Sequence, residues 1–191
     1  MSVHPWKKIG SRKLGAYKVY DVRGDTKVSP RTGEPHDFYI IEAVNWVNII
    51  PITREGKIVM VEQYRHGSDT VELEIPGGMM DDGESDPVAA AVRELGEETG
   101  YVGKRARVIG QIFPNPAIMN NICYSVLVED CVFEKEISLD STEDIHVTLV
   151  DPAEIPSLIQ QGRIGHSLVV VAFYFWERLS HAGGSARPRP T

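Results

Sequence analysis

Apolar and polar residues alternate over two short runs near the N-terminus. These are Tyr17-Lys18-Val19-Tyr20-Asp21-Val22 and Asp37-Phe38-Tyr39-Ile40-Ile41-Glu42-Ala43, separated by the turn-forming Ser29-Pro30-Arg31-Thr32-Gly33-Glu34-Pro35. Such a pattern predicts a small antiparallel sheet, too small to be stable alone. From Trp46 the apolar runs lengthen. Trp46–Ile52 and Lys57–Tyr64 read as strands joined at Arg54-Glu55-Gly56, and Val71–Ile75 as a third, ended by Pro76-Gly77-Gly78. Pro87–Thr99 reads as a helix: Ser85 or Asp86 can cap it, Pro87 suits its first turn and Gly100 its C-terminal stop. Val88, Val92, Leu95 and Thr99 recur at helical spacing and are expected to face the core. Strands are expected near Arg107–Phe113, Ile122–Glu129 and Ile145–Val150. A second helix should open at Asp151, with Pro152 and Glu154 behind it, and end at Gly162. A third spans Ser167–Ser180, its length favouring helix over a buried strand. Strands interrupted by helices in no regular βαβ order indicate a mixed α/β fold, not a doubly wound one.

Composition narrows the function. The 191 residues are 42% hydrophobic and 25% charged, as in ordinary globular chains. Twenty basic against 27 acidic residues give a formal charge of −7, which argues against a general nucleic-acid or anionic-membrane binder. A small anionic ligand stays compatible, because a few arginines and metal ions can dominate locally. Cys123 and Cys131 lack partners at zinc spacing and read as small buried apolar residues. No secretory signal is visible, and the longest apolar stretch, Leu168–Trp176, is too short to span a bilayer. A soluble, cytoplasmic protein with no nucleic-acid and no membrane partner is expected.

The segment around the first helix carries the chemistry. Glu94, Glu97 and Glu98 stand three and four apart and gather on one side. Like charges repel there, and a helix's last turn prefers cations, so the arrangement costs several tenths of a kcal/mol per effect. Arg93 lies four residues before Glu97 and can hold it by an ion pair. One reading is a solvated acidic face. The other is a site for Mg²⁺ or Mn²⁺, hard cations that want carboxylate oxygens, with the glycines at 77 and 78 letting backbone carbonyls approach.

Gly78, Glu84, Arg93, Glu94, Leu95, Glu97, Glu98, Gly100 and Tyr101 resemble, in order, the box of the Nudix hydrolases, G-x5-E-x7-R-E-U-x-E-E-x-G-U with U bulky and apolar or aromatic. One departure is plain: eight residues, Ser85 to Val92, precede Arg93 where the box has seven. Pro116, fifteen residues past the box, resembles the ADP-ribose and nucleoside-diphosphate-sugar pyrophosphatases of that family, as do Glu62-Gln63-Tyr64-Arg65, Glu74-Ile75-Pro76-Gly77-Gly78 and Glu143-Asp144-Ile145.

The resemblance implies a Nudix-type α/β/α sandwich with a mixed sheet over residues 44–182. A small N-terminal antiparallel β-sheet over 1–43 would serve dimerisation and substrate contacts, and a disordered tail would cover 183–191. It implies Mg²⁺ (Mn²⁺ substituting) on Glu94, Glu98 and the Gly77 carbonyl. Glu97 would be a further ligand or polarise the attacking water, oriented by Arg93. Glu143 would complete the cluster or act as base, leaving the base open among Glu143, Glu97 and Asp140; where some relatives carry a catalytic glutamate, this chain has Ser141. Glu74 joins the substrate-binding residues.

Arg65 is a candidate phosphate clamp, or pairs with Glu62 or Glu72 on the surface. Trp46 stacks on a base or fills the core. Pro116 lies among Asn115, Asn120 and Asn121, which contact substrate or merely form turns. His66 and His146 receive no role. The resemblance implies nucleoside-diphosphate sugars such as ADP-ribose or GDP-mannose as substrates, cut to nucleoside monophosphate and sugar phosphate by a homodimer. A non-catalytic sensor of ADP-ribose or a related nucleotide is the alternative, and it predicts decay of the helix carboxylates. A sanitiser of oxidised nucleoside triphosphates is disfavoured by Pro116 and by the N-terminal extension.

Overall fold

The computed structural model describes residues 2–139 and 141–182, with side chains to 179. Asp140, one of the three candidate bases, and the tail at 183–191 lie outside the described residues. The chain forms two compact units, Met1–Asn45 with Phe113–Ile122, and Trp46–Ile112 with Cys123–Thr191.

The first unit is an antiparallel meander of β1 (Lys7–Ala16), β2 (Asp21–Val28) and β3 (Pro35–Glu42). The small N-terminal sheet is therefore present, but with a strand the alternation did not reveal. β1 is rich in Lys, Arg, Ser and Gly and mostly exposed, so it lacks the apolar beat that marks a half-buried strand. The expected strand from Tyr17 starts late. Tyr17 to Tyr20 makes the hairpin turn, closed by the Tyr17 N–H donating to the Tyr20 carbonyl at 2.9 Å. The segment 113–122 joins this unit through a parallel bridge between Ile41 and Met119, and through Asn121, whose Nδ2 donates to the Val44 carbonyl at 3.1 Å. Asn121 thus ties two chain segments together.

The second unit is built on β4 (Trp46–Thr53), β5 (Ile58–Arg65), β6 (Thr70–Glu74), β7 (Gly77–Met79), β8 (Tyr101–Val102), β9 (Arg105–Ile112), β10 (Cys123–Phe133) and β11 (Ile145–Val150). The sheet runs β11-β5-β4-β10-β8, with β6 on β5, β7 on β4 and β9 on β10. β4 and β10 pair in parallel and the other pairs are antiparallel, so the sheet is mixed. β7 corrects the sequence reading: Gly77 to Met79 is no simple turn but pairs with Asn48 to Trp46.

Helix α1 (Pro87–Thr99) covers one face of the sheet; α2 (Ile155–Gln160) and α3 (Ser167–Ala182) serve the other. The period of two along β4 divides the core. Val47 and Ile49 pack towards α1 with Val126, Val128 and Leu95, while Ile50 packs on the opposite side with Leu127, Val169 and Phe173. This is the expected α/β/α sandwich. The second helix differs at its start: Asp151 caps a 3₁₀ turn, Pro152–Glu154, with the full reciprocal box to Glu154, and the α-helix begins at Ile155. On α1 the core face is Ala90, Ala91, Leu95 and Thr99, with Val88 and Val92 only half-buried. Alanine carries little apolar signal in a sequence, yet its small side chain lets the helix approach β4 and β10 closely.

Candidate active site

The local signals that shape α1 place its carboxylates. Asp86 is the N-cap, its side chain accepting the Val88 N–H at 2.9 Å, and Gly100 ends the helix at φ 72°. That left-handed conformation is inexpensive only for glycine. Counting from this cap sets Glu94 and Glu98 inward and Glu97 outward, half-exposed.

Arg93 gathers the acidic side chains. Its Nη1 donates to Glu97 at 2.9 Å and to Glu94 at 3.0 Å; its Nη2 donates to Glu84 and to the Met79 carbonyl, both at 3.3 Å. Asp81 lies 3.5 Å from Nε. Burial works against the guanidinium charge, but Glu94, Glu97 and Glu84 more than offset it and hold Arg93 above its already high ordinary value. The Arg93–Glu97 pair was legible from spacing; the convergence of Glu84, Glu94 and Asp81 on the same arginine was not. The extra residue before Arg93 leaves Glu84 in reach, since the loop closes with the Glu84 N–H on the Asp81 carbonyl at 2.9 Å and the Asp81 N–H on Glu84 Oε2 at 3.0 Å.

Glu98 is 5% exposed and accepts the Gly77 N–H at 3.1 Å. Burial, reinforced by Glu94 and Glu143, pushes its carboxyl up to about 8 against the pull of that N–H and of Arg65. Burial likewise raises Glu94 to about 7, with Glu97 and Glu143 adding to it against Arg93. Glu143 precedes β11, and its charge reaches Glu94, Glu98 and Arg65. Among the described residues, no three His, Cys, Asp or Glu side chains already converge closely enough to hold an ion.

The residues nevertheless fit a hard divalent cation. The donors are oxygens, and two carboxylates are held where their anions are poorly solvated. Gly78 is also bare where a Cβ would lie 2.5 Å from the Glu94 carboxylate. Gly78→Ala is therefore expected to fold but to swing Glu94 aside and weaken Mn²⁺ binding about tenfold or more, a loss of the size seen when ligand positioning fails. Titration calorimetry with Mn²⁺ checks it, and unchanged affinity would show that Glu94 does not need this space.

Arg65 and Glu74 form the second part. Arg65 Nε and Nη2 bind the two Glu74 oxygens at 2.8 and 2.9 Å, and His166 Nδ1 stands 3.1 Å from Oε2. Glu74 is 1% exposed. Burial alone would raise its carboxyl, but Arg65 and His166 overcome this and hold it at about 2. Arg65 thus pairs with Glu74 on the adjoining strand, where the sequence suggested Glu62 or Glu72. Arg65→Lys keeps the charge but loses the two-pronged contact, so a stability loss of about 1–2 kcal/mol is expected. Urea unfolding at pH 7 measures it, and a midpoint equal to that of the parent would remove the pair from the account.

Trp46 opens β4, half-buried, opposite Met79 and Cys123. Asn115, Pro116 and Asn120 belong to the first unit, all exposed; the Asn115 carbonyl accepts the N–H groups of Ile118 and Met119 in a local turn. A strap that sequence reasoning missed binds the end of α1. The N–H groups of Glu134 and Lys135 donate to the Gly100 carbonyl at 3.0 and 3.1 Å, and that of Ser138 to the Glu97 carbonyl at 2.9 Å. Helix and strap flank a cleft of about 590 Å³ that Arg93, Glu97 and Lys135 line.

A NUDIX domain model matches residues 44–172. The chain is 30% identical over 159 residues to the ADP-ribose pyrophosphatase of Bacillus subtilis (strain 168), covering 83% of this chain and 85% of that protein. It is 32% identical over 171 residues to the methanol dehydrogenase activator of Bacillus methanolicus, covering 88% and 91%. A solved structure described as an ADP compounds hydrolase shares the fold, with a TM-score of 0.83, 19% identity and coverage of 97% of this chain and 100% of that one.

Proposed function

The chain belongs to the Nudix family, and on that premise we propose that it is a Mg²⁺-dependent pyrophosphohydrolase, with Mn²⁺ able to substitute. It cleaves the diphosphate of ADP-ribose, GDP-mannose or a similar nucleoside-diphosphate sugar to a nucleoside monophosphate and a sugar phosphate. The observation that carries this reading is the pair of buried carboxylates, Glu94 and Glu98, held beside a charged arginine hub. The name of the B. subtilis relative supports ADP-ribose as the first substrate to try.

Glu94, Glu98 and the Gly77 carbonyl would hold the cation, with Glu143 completing the set. Bound there, divalent ions neutralise the diphosphate and lower the pKa of a water. Arg93 fixes the Glu97 carboxylate through Nη1, so Glu97 is poised to orient the water. Glu97, Glu143 and Asp140 remain the groups able to accept its proton. Arg65, immobilised by Glu74, offers its remaining edge to the phosphate oxygens as the leaving phosphate gains charge.

A regulator that binds nucleotide without cutting it is the second reading; the B. methanolicus relative is named an activator, which fits a regulatory role but does not speak of cutting. Against it stands the intact set Arg93, Glu94, Glu97 and Glu98, which a sensor has no need to keep. Homodimer formation and a cytoplasmic location complete the proposal. The exposed Ile9, Leu14 and Tyr39 of the first unit support the former, and the two free, buried thiols of Cys123 and Cys131 the latter. Light scattering of the purified chain tests the dimer.

The activity test is turnover with Mg²⁺ on ADP-ribose, GDP-mannose, ADP-glucose, UDP-glucose, NADH, diadenosine polyphosphates and 8-oxo-dGTP, with products resolved. Sugar-nucleotide cleavage that stops with chelator supports the enzyme. Binding without cleavage supports the regulator.

A further inference from the structure

Asn48 is 8% exposed, and its Nδ2 is buried with no hydrogen-bond partner among the described residues. A buried amide N–H without an acceptor costs about 1–3 kcal/mol, so its retention in a strand otherwise made of Val, Ile, Pro and Thr past Trp46 calls for a reason. Its surroundings supply one. Strand alternation puts Trp46, Asn48 and Ile50 on one face of β4, with Val47 and Ile49 on the face beneath α1. Asn48 pairs with Gly77 across β7, and a Cβ on Gly77 would lie 2.8 Å from Asn48 Oδ1. Gly77 in turn gives its N–H to Glu98. The bare Gly77 backbone therefore separates two chemistries: carboxylates and arginines on the α1 side, and a half-buried indole next to an unpaired amide on the other.

We propose that Asn48 is a specificity residue that reads the nucleobase, donating Nδ2–H to a ring nitrogen of a purine lying against Trp46. The inference rests on the pyrophosphohydrolase reading and names which part of the substrate this face takes. Trp46 and Asn48 carry no charge, so they suit a neutral planar ring, whereas the diphosphate would meet Arg65 and the cation that Glu94 and Glu98 would hold. An aromatic face binds any base. A carboxamide beside it discriminates by position, because purine N7 lies on the five-membered ring that a pyrimidine lacks, whereas uracil's acceptors O2 and O4 lie elsewhere on its edge.

The experiment compares kcat/KM for ADP-glucose and UDP-glucose, which share the sugar, in the parent chain, N48L and N48S. The parent prefers ADP-glucose, and N48L loses about five- to tenfold of that preference. Its ligand-free melting temperature is expected to equal or exceed the parent's, because the unpaired N–H is gone. N48S keeps the test alive if leucine does not fit. A parent that prefers UDP-glucose, an unchanged ratio, or an equal loss on both substrates overturns the proposal. If the parent cleaves neither sugar nucleotide, the hydrolase reading fails separately. The amide is then judged by the thermal shift AMP and UMP produce in chelator: a shift with AMP that N48L abolishes upholds it, and an equal shift in both proteins overturns it.

Discussion

Glu98→Gln is expected to fold normally and to lose about 10²–10³-fold of the Mg²⁺-dependent turnover, the scale on which removal of one preorganised electrostatic group acts. The two halves of this expectation have separate physical origins. Glutamine keeps an oxygen to accept the Gly77 N–H, which Glu98 now accepts at 3.1 Å, and it fills nearly the same volume. It brings no charge into a site where burial pushes the native carboxyl up to about 8, so nothing in the fold opposes the exchange. What disappears is the anion that a divalent cation would meet. Turnover at saturating Mg²⁺, together with a thermal melt, measures both. A variant with near-parental activity would mean that the metal site has been misplaced.

In metal-free solution the chain is expected to lose stability as the pH rises from about 5 to 9, opposite to a protein stabilised by ionised carboxylates. The sign follows from proton counting. Glu94 and Glu98 hold protons in the folded state up to about 7 and about 8, whereas unfolded they release them near the ordinary 4.5. Between those values the folded chain binds more protons, so stability falls with pH by about 3 kcal/mol or more for the pair. Glu74 acts in the other direction: held at about 2, it stabilises the fold above 4.5 and loses that contribution as the pH falls through 2. Maximum stability without metal should therefore sit near pH 5. Adding Mg²⁺ should raise the melting temperature more at pH 8 than at pH 6, and Glu98→Gln should flatten the alkaline slope. Urea titrations in chelator across this range decide the matter; a midpoint that rises from pH 6 to 8 would contradict the burial of these two groups.

Features decided within a few residues were legible in the sequence. Asp86, Pro87 and Gly100 bound α1 where the structure has it, and Arg93 to Glu97 is a neighbour relation along one helix. Features that need strand register were not. Arg65 finds Glu74 on the adjoining strand β6, in place of the nearer Glu62 or Glu72, because register brings positions on different strands to one face. The strap on α1 uses backbone N–H groups, which every residue but proline owns, so it leaves no mark in composition. Ala90 and Ala91 are buried yet leave no core signal in the sequence, because alanine is apolar enough to bury and too common to mark burial. Asn48 sits inside an apolar run, where the eye reads a strand and overlooks its exception.

The loop between Glu84 and Asp86 holds a lesson about insertions. A helix positions its side chains by counting from its own cap, so a residue added upstream of Asp86 changes the numbering of Glu94, Glu97 and Glu98 without moving them. Glu84, on the far side of the addition, still touches Arg93 because the turn from Asp81 sets its position, not the chain length behind it. Genomic searches that demand a fixed gap would discard such chains as degenerate. Scoring the two anchors separately, with the spacer free to vary, would keep them among the working enzymes.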